Sequence, residues 1–231
     1  MESRAESLEV LVLCASPVGD LATLKLAHEL VQFENELRKA QIPVRLKRVF
    51  PPTIEQLRRE LAAMSQRGER PGVFHFLGHG DDDGLYFEDE FGESQLVKGA
   101  ELKQALAESP VKLVLLNACW SATKRGVSLV EFLQREAVTE TAIGHEVPVA
   151  DVSAVQFAQR FYELAMSGKS VKAACQQAAN SLAEAGLPGA ADVKLVGNGE
   201  LRLTDGLPIG KRAFVSDDGL PTIGHLPDAS V

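Results

Sequence analysis

Two reactive side chains, Cys119 and His79, each follow an apolar run of the sequence. Cys119 comes two residues after the run Val111–Asn117, and His79 stands between two glycines after the run that begins at Val73. A cysteine attacks as its thiolate, and a nearby imidazole is the usual group that stabilises this form. If both runs are parallel strands of one sheet, the two side chains emerge at the same edge. The pair therefore predicts a Cys/His catalytic dyad.

The two runs have the pattern of buried strands. Val111–Asn117 is largely apolar without strict alternation, which is typical of a strand covered by helices on both faces of a parallel sheet. Open α/β sheets place their ligands and catalytic groups at the carboxyl ends of the strands. We therefore expect Val111–Asn117 to be a central strand with Cys119 just beyond its end.

Strand and helix patterns alternate along the rest of the chain. Asp20 is a predicted N-cap, and Thr53 with Gln56 resembles a capping box. The predicted strands cover 9–17, an edge strand at 43–50, 73–79, 111–117, 141–144 and 193–196, with 201–203 completing a last strand or hairpin. The predicted helices cover 21–40, 53–67, 99–108, 128–137, 152–166 and 171–185.

A small β-hairpin is predicted between the two central strands. The segments 85–87 and 95–97 are apolar and flank an acidic connection that contains glycine. Such a pattern indicates two short antiparallel strands. The hairpin follows His79 directly, so we expect it to project beside the catalytic edge.

Composition is that of an ordinary globular protein. The chain has 231 residues, 45% hydrophobic and 24% charged, which fits one large domain. The polar start and the short apolar runs predict neither a secretory signal nor a membrane span, so a cytoplasmic location is expected. A net charge of −8 disfavours direct binding to nucleic acid or to anionic membranes.

The cysteines and histidines do not form the usual metal or disulfide patterns. Three widely spaced cysteines and no C-x-x-C pair predict reduced thiols. His75 and His79 are four residues apart, which in a strand separates them by about 13 Å at about 3.3 Å per residue. We therefore expect no metal site and no cofactor.

Six groups of residues, in the right order, resemble the CHAT family, whose caspase-like domains belong to the clan of caspases and separases. The similarity spans roughly residues 10–203 and comprises the His and Cys motifs at 75–80 and 115–122, then 142–149, 157–162, 167–171 and 195–201. The resemblance implies a three-layer α/β/α sandwich with a mostly parallel central sheet and a small β-hairpin insertion. It also implies a CHAT domain at 1–204. Residues 205–231 contain four glycines and three prolines and show no sustained period, which predicts a Gly/Pro-rich tail or linker.

The resemblance assigns the base role to His79 and makes Cys119 the nucleophile. The amides of Gly80 and Cys119 are candidates for an oxyanion hole, since the flanking glycines allow close approach of a substrate. Asp81 and Asp151 are candidates for the substrate cleft. Asn117 is a third, and its neutrality argues against a strict preference for Arg or Lys before the scissile bond, because related enzymes with that preference can carry an acid in this region.

Each candidate also has a purely structural interpretation. Cys119 alone could be a buried filler, as cysteines often are, and His79 alone could be a turn residue. His145, at the end of the strand 141–144, is a rival base, although the family pattern usually has an apolar residue there. His75 is expected in the strand interior as a hydrogen-bonded structural histidine. The remaining cysteines, Cys14 and Cys175, are expected to pack in the core.

The predicted function is that of a cysteine endopeptidase. The resemblance implies a regulated enzyme that acts on one or few protein substrates, in prokaryotic defence or programmed death, under a sensor domain or partner outside this chain. The alternative is a CHAT-like interaction module without catalysis, which the presence of both His79 and Cys119 disfavours. A nucleotide-binding signalling domain is a third reading, but the sequence lacks a Gly-rich phosphate loop.

Overall fold

The computed structural model describes residues 7–19, 21, 26–81, 83–107, 109, 111–118, 121, 127–147, 151–189, 192–205 and 207. The strands are β1 (Leu8–Ala15), β2 (Val44–Arg48), β3 (Val73–Gly78), β4 (Gly84–Glu88), β5 (Ser94–Lys98), β6 (Val111–Asn117), β7 (Thr139–His145) and β8 (Val193–Gly197). The helices are α1 (Leu26–Lys39), α2 (Ile54–Gln66), α3 (Gly99–Ala107), α4 (Leu129–Arg135), α5 (Asp151–Met166) and α6 (Val171–Glu184).

Six strands form one twisted sheet in the order β2-β1-β3-β6-β7-β8. All neighbours pair in parallel except β7 and β8, which are antiparallel. β6 thus lies in the interior of the sheet and β2 at one border, as predicted. β4 and β5 form a separate antiparallel hairpin, and this also confirms the prediction.

Helices cover both faces of the sheet. One core joins α1, α5 and α6 to side chains such as Val12, Leu77 and Leu115. The other joins α2, α3, α4 and the hairpin to the intervening strand positions, such as Leu13 and Phe76. Because successive side chains of a strand point to opposite faces, strands buried on both faces must be apolar throughout. The expected three-layer α/β/α sandwich is confirmed.

Side-chain caps fix where α2 and α4 begin. The hydroxyl of Thr53 accepts a hydrogen bond from Gln56 N, so the N-cap is confirmed. The reciprocal bond of a capping box is absent among the described residues, because Thr53 N donates to Pro51 O and the Gln56 amide donates to Glu60. A complete capping box instead opens α4, between Ser128 and Glu131.

Two further expectations differ from the structure or fall outside it. The segment 201–203 is not a strand, since β8 ends at Gly197 and its only sheet partner among the described residues is β7. Asp20 and residues 208–231 lie outside the described residues, so the N-cap and the boundary at 204 stay predictions. None of the described helices is long and apolar enough to cross a bilayer.

Candidate active site

The candidate dyad residues follow two strands that are neighbours in the middle of the sheet. β3 and β6 pair in parallel, and the last pair places Leu77 opposite Asn117. Leu77 and Asn117 are 40 positions apart, and so are His79 and Cys119. His79 therefore follows its strand's last paired residue by two positions, and so does Cys119. The register therefore confirms that the two strands end together at one edge. Cys119 lies outside the described residues, so its distance from His79 stays a prediction.

The last residues of the two strands also indicate on which face the candidate site lies. Leu77 packs in the core with α1, α5 and α6, and the Asn117 amide donates to Ala154 O of α5 at 3.1 Å. Positions two apart in an extended strand share a face. His79 follows Leu77 at this interval and is half-buried. The α5 side of the strand ends is therefore the face on which a catalytic pair is expected.

The hairpin holds the backbone around His79. Tyr86 N of β4 donates to His79 O at 3.0 Å, and Asp81 N donates to Gly84 O at 3.0 Å. Gly80 pairs with Leu85 as an isolated bridge, and no acceptor for the Gly80 amide occurs within the described part of the chain. An amide held in this way is suited to donate to an oxyanion.

The Asp81 carboxylate accepts hydrogen bonds from the turn that leads into β4. It accepts hydrogen bonds from the amides of Asp83 and Gly84, at 2.8 and 3.0 Å, and from the Tyr86 hydroxyl, at 2.6 Å. The bond to Asp81 raises the pKa of Tyr86 above its ordinary value. Asp81 thus stiffens the turn after His79, and its part in a substrate cleft stays a prediction.

A buried polar network joins the residues before and after Cys119 in sequence to β7. Ser121 Oγ donates to Ala118 O and accepts from His145 N, both at 3.0 Å. His145 Nε2 lies 3.3 Å from Asn117 Oδ1. These bonds join the residues on both sides of Cys119 to the end of β7. Sequence reasoning missed Ser121, and its position two residues after Cys119 was the only available signal.

The two buried histidines differ from His79 in their surroundings. Burial lowers the pKa of His145 to about 4 and that of His75 to about 3. His75 lies in the strand interior, as expected, with its Nδ1 3.5 Å from the Tyr162 hydroxyl. Both imidazoles are therefore neutral at pH 7 and shielded from solvent. His145 is poorly placed to exchange protons with a substrate.

The remaining candidates occupy the same edge or the core. Asp151 is the first residue of α5. Its side chain is not among those that the structure describes. Asn117 is buried, with its amide engaged by His145 and Ala154. Their roles in a cleft stay predictions.

The other two cysteines lie in or beside the core, as expected. Cys175 is buried in α6, and burial raises its pKa to about 12. Cys14 is half-buried in β1.

Comparison with protein families found one matching model, that of the CHAT domain, which covers residues 12–188. The matched stretch is well over half of the chain and runs from β1 through α6. It includes the ends of β3 and β6, where the candidate dyad residues stand. A search of the curated proteins found no significant match.

Proposed function

Because this chain belongs to the CHAT-domain family, which is caspase-like, we propose that it is a regulated cysteine endopeptidase that cleaves one or few protein substrates. The observation that carries the proposal is the register of β3 and β6. A histidine and a cysteine each follow, by two residues, the last pair of two adjacent parallel strands. Adjacent strands lie about 4.8 Å apart, which is within the reach of a cysteine and a histidine side chain.

The proposed reaction is acyl transfer in two steps. The Cys119 thiolate forms a bond to the scissile carbonyl carbon, and the amides of Gly80 and Cys119 donate to the resulting oxyanion. As the tetrahedral species collapses, the C–N bond breaks and the His79 imidazolium donates its proton to the leaving amine. A water molecule then attacks the thioester while His79 accepts its proton. This step releases the second product and the free thiolate.

Regulation is proposed to come from outside this chain. Family members are often attached to helical repeats, and the sequence shows no such repeat. We expect a sensor domain or partner to order the cleft, in a setting such as prokaryotic defence or programmed death. The purified chain should therefore fold yet turn over generic peptides slowly. Fast turnover by the isolated chain would contradict this part of the proposal.

The direct test is a map of new protein N-termini. A cell lysate is incubated with the chain, with Cys119→Ala and with His79→Ala, and the N-termini are identified by mass spectrometry. New N-termini are expected only with the unaltered chain, because each variant lacks one half of the dyad. Identical N-termini from Cys119→Ala would refute the proposed nucleophile.

The rival base provides the matched control. His145→Ala should retain cleavage per folded molecule, since the ring is buried and neutral and the backbone amide that donates to Ser121 is kept. Loss of turnover in folded His145→Ala, together with activity in His79→Ala, would show that the base was assigned wrongly. Partners captured without any new N-terminus would favour the interaction module instead.

A further inference from the structure

Three exposed, large apolar residues stand on segments that meet at the β4–β5 hairpin. Val18, Phe50 and Phe91 are 64%, 82% and 77% exposed. They belong to three different segments: the one after β1, the one after β2 and the hairpin turn. We call these three residues the tip patch. Single exposed apolar residues are common, whereas grouped ones mark binding surfaces.

Backbone hydrogen bonds join the three segments. Val18 N donates to Gly92 O in the hairpin turn at 2.9 Å, and Glu88 N donates to Pro52 O at 3.1 Å. The Glu88 carboxylate in turn accepts from Ser16 N at 3.0 Å. The tip patch therefore stands on one connected surface, which the bonds hold together.

The tip patch lies on the same edge of the sheet as the candidate dyad. β4 begins beside His79, where Tyr86 N donates to His79 O, and Glu88 reaches the segments after β1 and β2. Phe91 lies five positions after Tyr86 and three beyond the end of β4, so at about 3.3 Å per residue the two are at most about 16 Å apart. A peptide at the dyad would thus reach the tip patch within about five further residues.

The hairpin turn that carries Phe91 is negatively charged, whereas Lys47 and Arg48, before Phe50, pair with Glu60 and Glu34. Residues 81–93 contain seven acidic side chains and no basic one, and Glu90 and Glu93 are exposed on either side of Phe91. None of the ion pairs formed between described residues involves a carboxylate of this stretch. Such a field attracts cations and repels nucleic acid and anionic lipid. The complementary occupant is a segment with basic and apolar side chains.

We propose that the tip patch docks a basic and apolar segment of the protein substrate, within about five residues of the scissile bond. The identity of the occupant as substrate rests on the proposed peptidase function, whereas docking itself does not. Phe91 and Phe50 supply the apolar contact, and Glu90 and Glu93 supply the charge complement.

Binding is tested with the inactive Cys119→Ala chain, so that catalysis plays no part. The probe is a short fluorescein-labelled peptide in which Lys alternates with Leu, and its fluorescence anisotropy is followed at low and high salt. Phe91→Ala should weaken binding about tenfold, as expected for the loss of one buried aromatic contact. Glu90→Lys should weaken it about two- to fivefold at low salt and less at high salt.

Matched variants separate docking from general attraction to an acidic protein. Glu140→Lys makes the same charge change at the start of β7, on the opposite edge, and Val31→Ala removes an exposed apolar side chain from α1. Both should bind the probe as the parent chain does. Peptides with Glu for Lys, or Ser for Leu, should bind at least several-fold more weakly.

Equal weakening by Glu90→Lys and Glu140→Lys, or no effect of Phe91→Ala, would overturn the docking proposal. So would tighter binding of phosphatidylserine vesicles than of the peptide. Cleavage mapped in the lysate that is insensitive to Phe91→Ala would leave the peptidase standing and refute docking of the substrate. Peptide binding at the tip patch without any cleavage would refute the peptidase function and support the tip patch as a docking surface.

Discussion

Ser121 links the end of β6, just before the proposed nucleophile in sequence, to β7. Its hydroxyl joins Ala118, before Cys119, to His145 at the end of β7. It is fully buried, and a buried polar group whose partner is removed costs about 1–3 kcal/mol. The bond to His145 N connects residues 24 apart, which explains why sequence reasoning could not find it.

Cysteine reactivity provides a test of the dyad at this scale. Burial raises the pKa of Cys175 to about 12, and Cys14 is half-buried in a strand, so both should react slowly. An imidazolium neighbour lowers a thiol pKa from its usual value of about 8.5. Brief iodoacetamide treatment at mildly acidic pH should therefore label Cys119 first, and His79→Ala should slow that labelling. Mass spectrometry of the peptides measures the rates, and equal rates at all three cysteines would contradict the dyad.

Gly144 limits the space around Ser121. A Cβ at this position would lie 2.6 Å from Ser121 Oγ and 2.9 Å from Val130 Cγ1. We expect Gly144→Ala to destabilise the protein by about 1–3 kcal/mol and to slow Cys119 labelling, because overpacking shifts the Ser121 network.

Combining this change with Ser121→Ala reveals the coupling. The double variant should be less destabilised than the sum of the single variants, since removing Oγ relieves part of the clash. Urea unfolding of the four proteins gives the interaction energy. Strict additivity would show that Gly144 and Ser121 do not act on each other.

The elements themselves follow from local patterns that the sequence displays. α2 buries Ile54, Leu57, Leu61 and Met64 at helical spacing behind the Thr53 cap. β3 and β6 are apolar because both of their faces are covered. These signals are local, and they predicted the strands, the helices and the hairpin.

The capping box of α4 is the element feature with the clearest measurable effect. Ser128 and Glu131 satisfy each other's backbone amides, and Lys194 of β8 donates to the same carboxylate. The Lys194 bond, together with Ser128, lowers the pKa of Glu131 to about 2. Ser128→Ala should lower the free energy of unfolding by about 1 kcal/mol, measured by urea unfolding.

Ser181→Ala is the control for this change. Ser181 lies on α6 and, within the part of the chain that the structure describes, donates to Gln177 O one turn earlier and to no other group, so its loss should change stability by less than about 0.5 kcal/mol. Equal effects of the two substitutions would show that the cap adds nothing beyond an ordinary serine contact. The sequence contained the capping signal Ser-x-x-Glu at 128–131, while the bond to Lys194 depends on the tertiary fold.

At the scale of the whole molecule, the buried histidines set how stability depends on pH. Both have a pKa in the folded state below the ordinary value of about 6.5, because burial disfavours their charged form. As the pH falls below 6.5, the unfolded state binds protons that the folded state does not bind. The contribution of the two histidines to the free energy of unfolding is therefore fully present above pH 6.5. It is lost as the pH falls towards about 4 for His145 and about 3 for His75.

His75→Leu isolates one histidine in this dependence. Between pH 6 and 4 each buried histidine contributes a slope of up to about 1.4 kcal/mol per pH unit, and His75→Leu should remove one such contribution. Tyr162→Phe removes only the hydroxyl near His75 and should leave the slope unchanged. Urea unfolding at successive pH values measures both. An unchanged slope in His75→Leu would contradict a neutral buried histidine.

The pairing of the central sheet has a consequence for the chain during its synthesis. No two paired residues of this sheet are closer in sequence than Val111 and Thr139, which are 28 positions apart. β3 can pair with β6 only after β6 has been synthesised, and each residue of β6 comes 40 positions after its partner in β3. At about 5–20 residues per second, this interval lasts roughly 2–8 seconds on the ribosome. A newborn chain thus carries its histidine well before its cysteine, and the enzyme we propose would be inert until the middle of its sheet is translated.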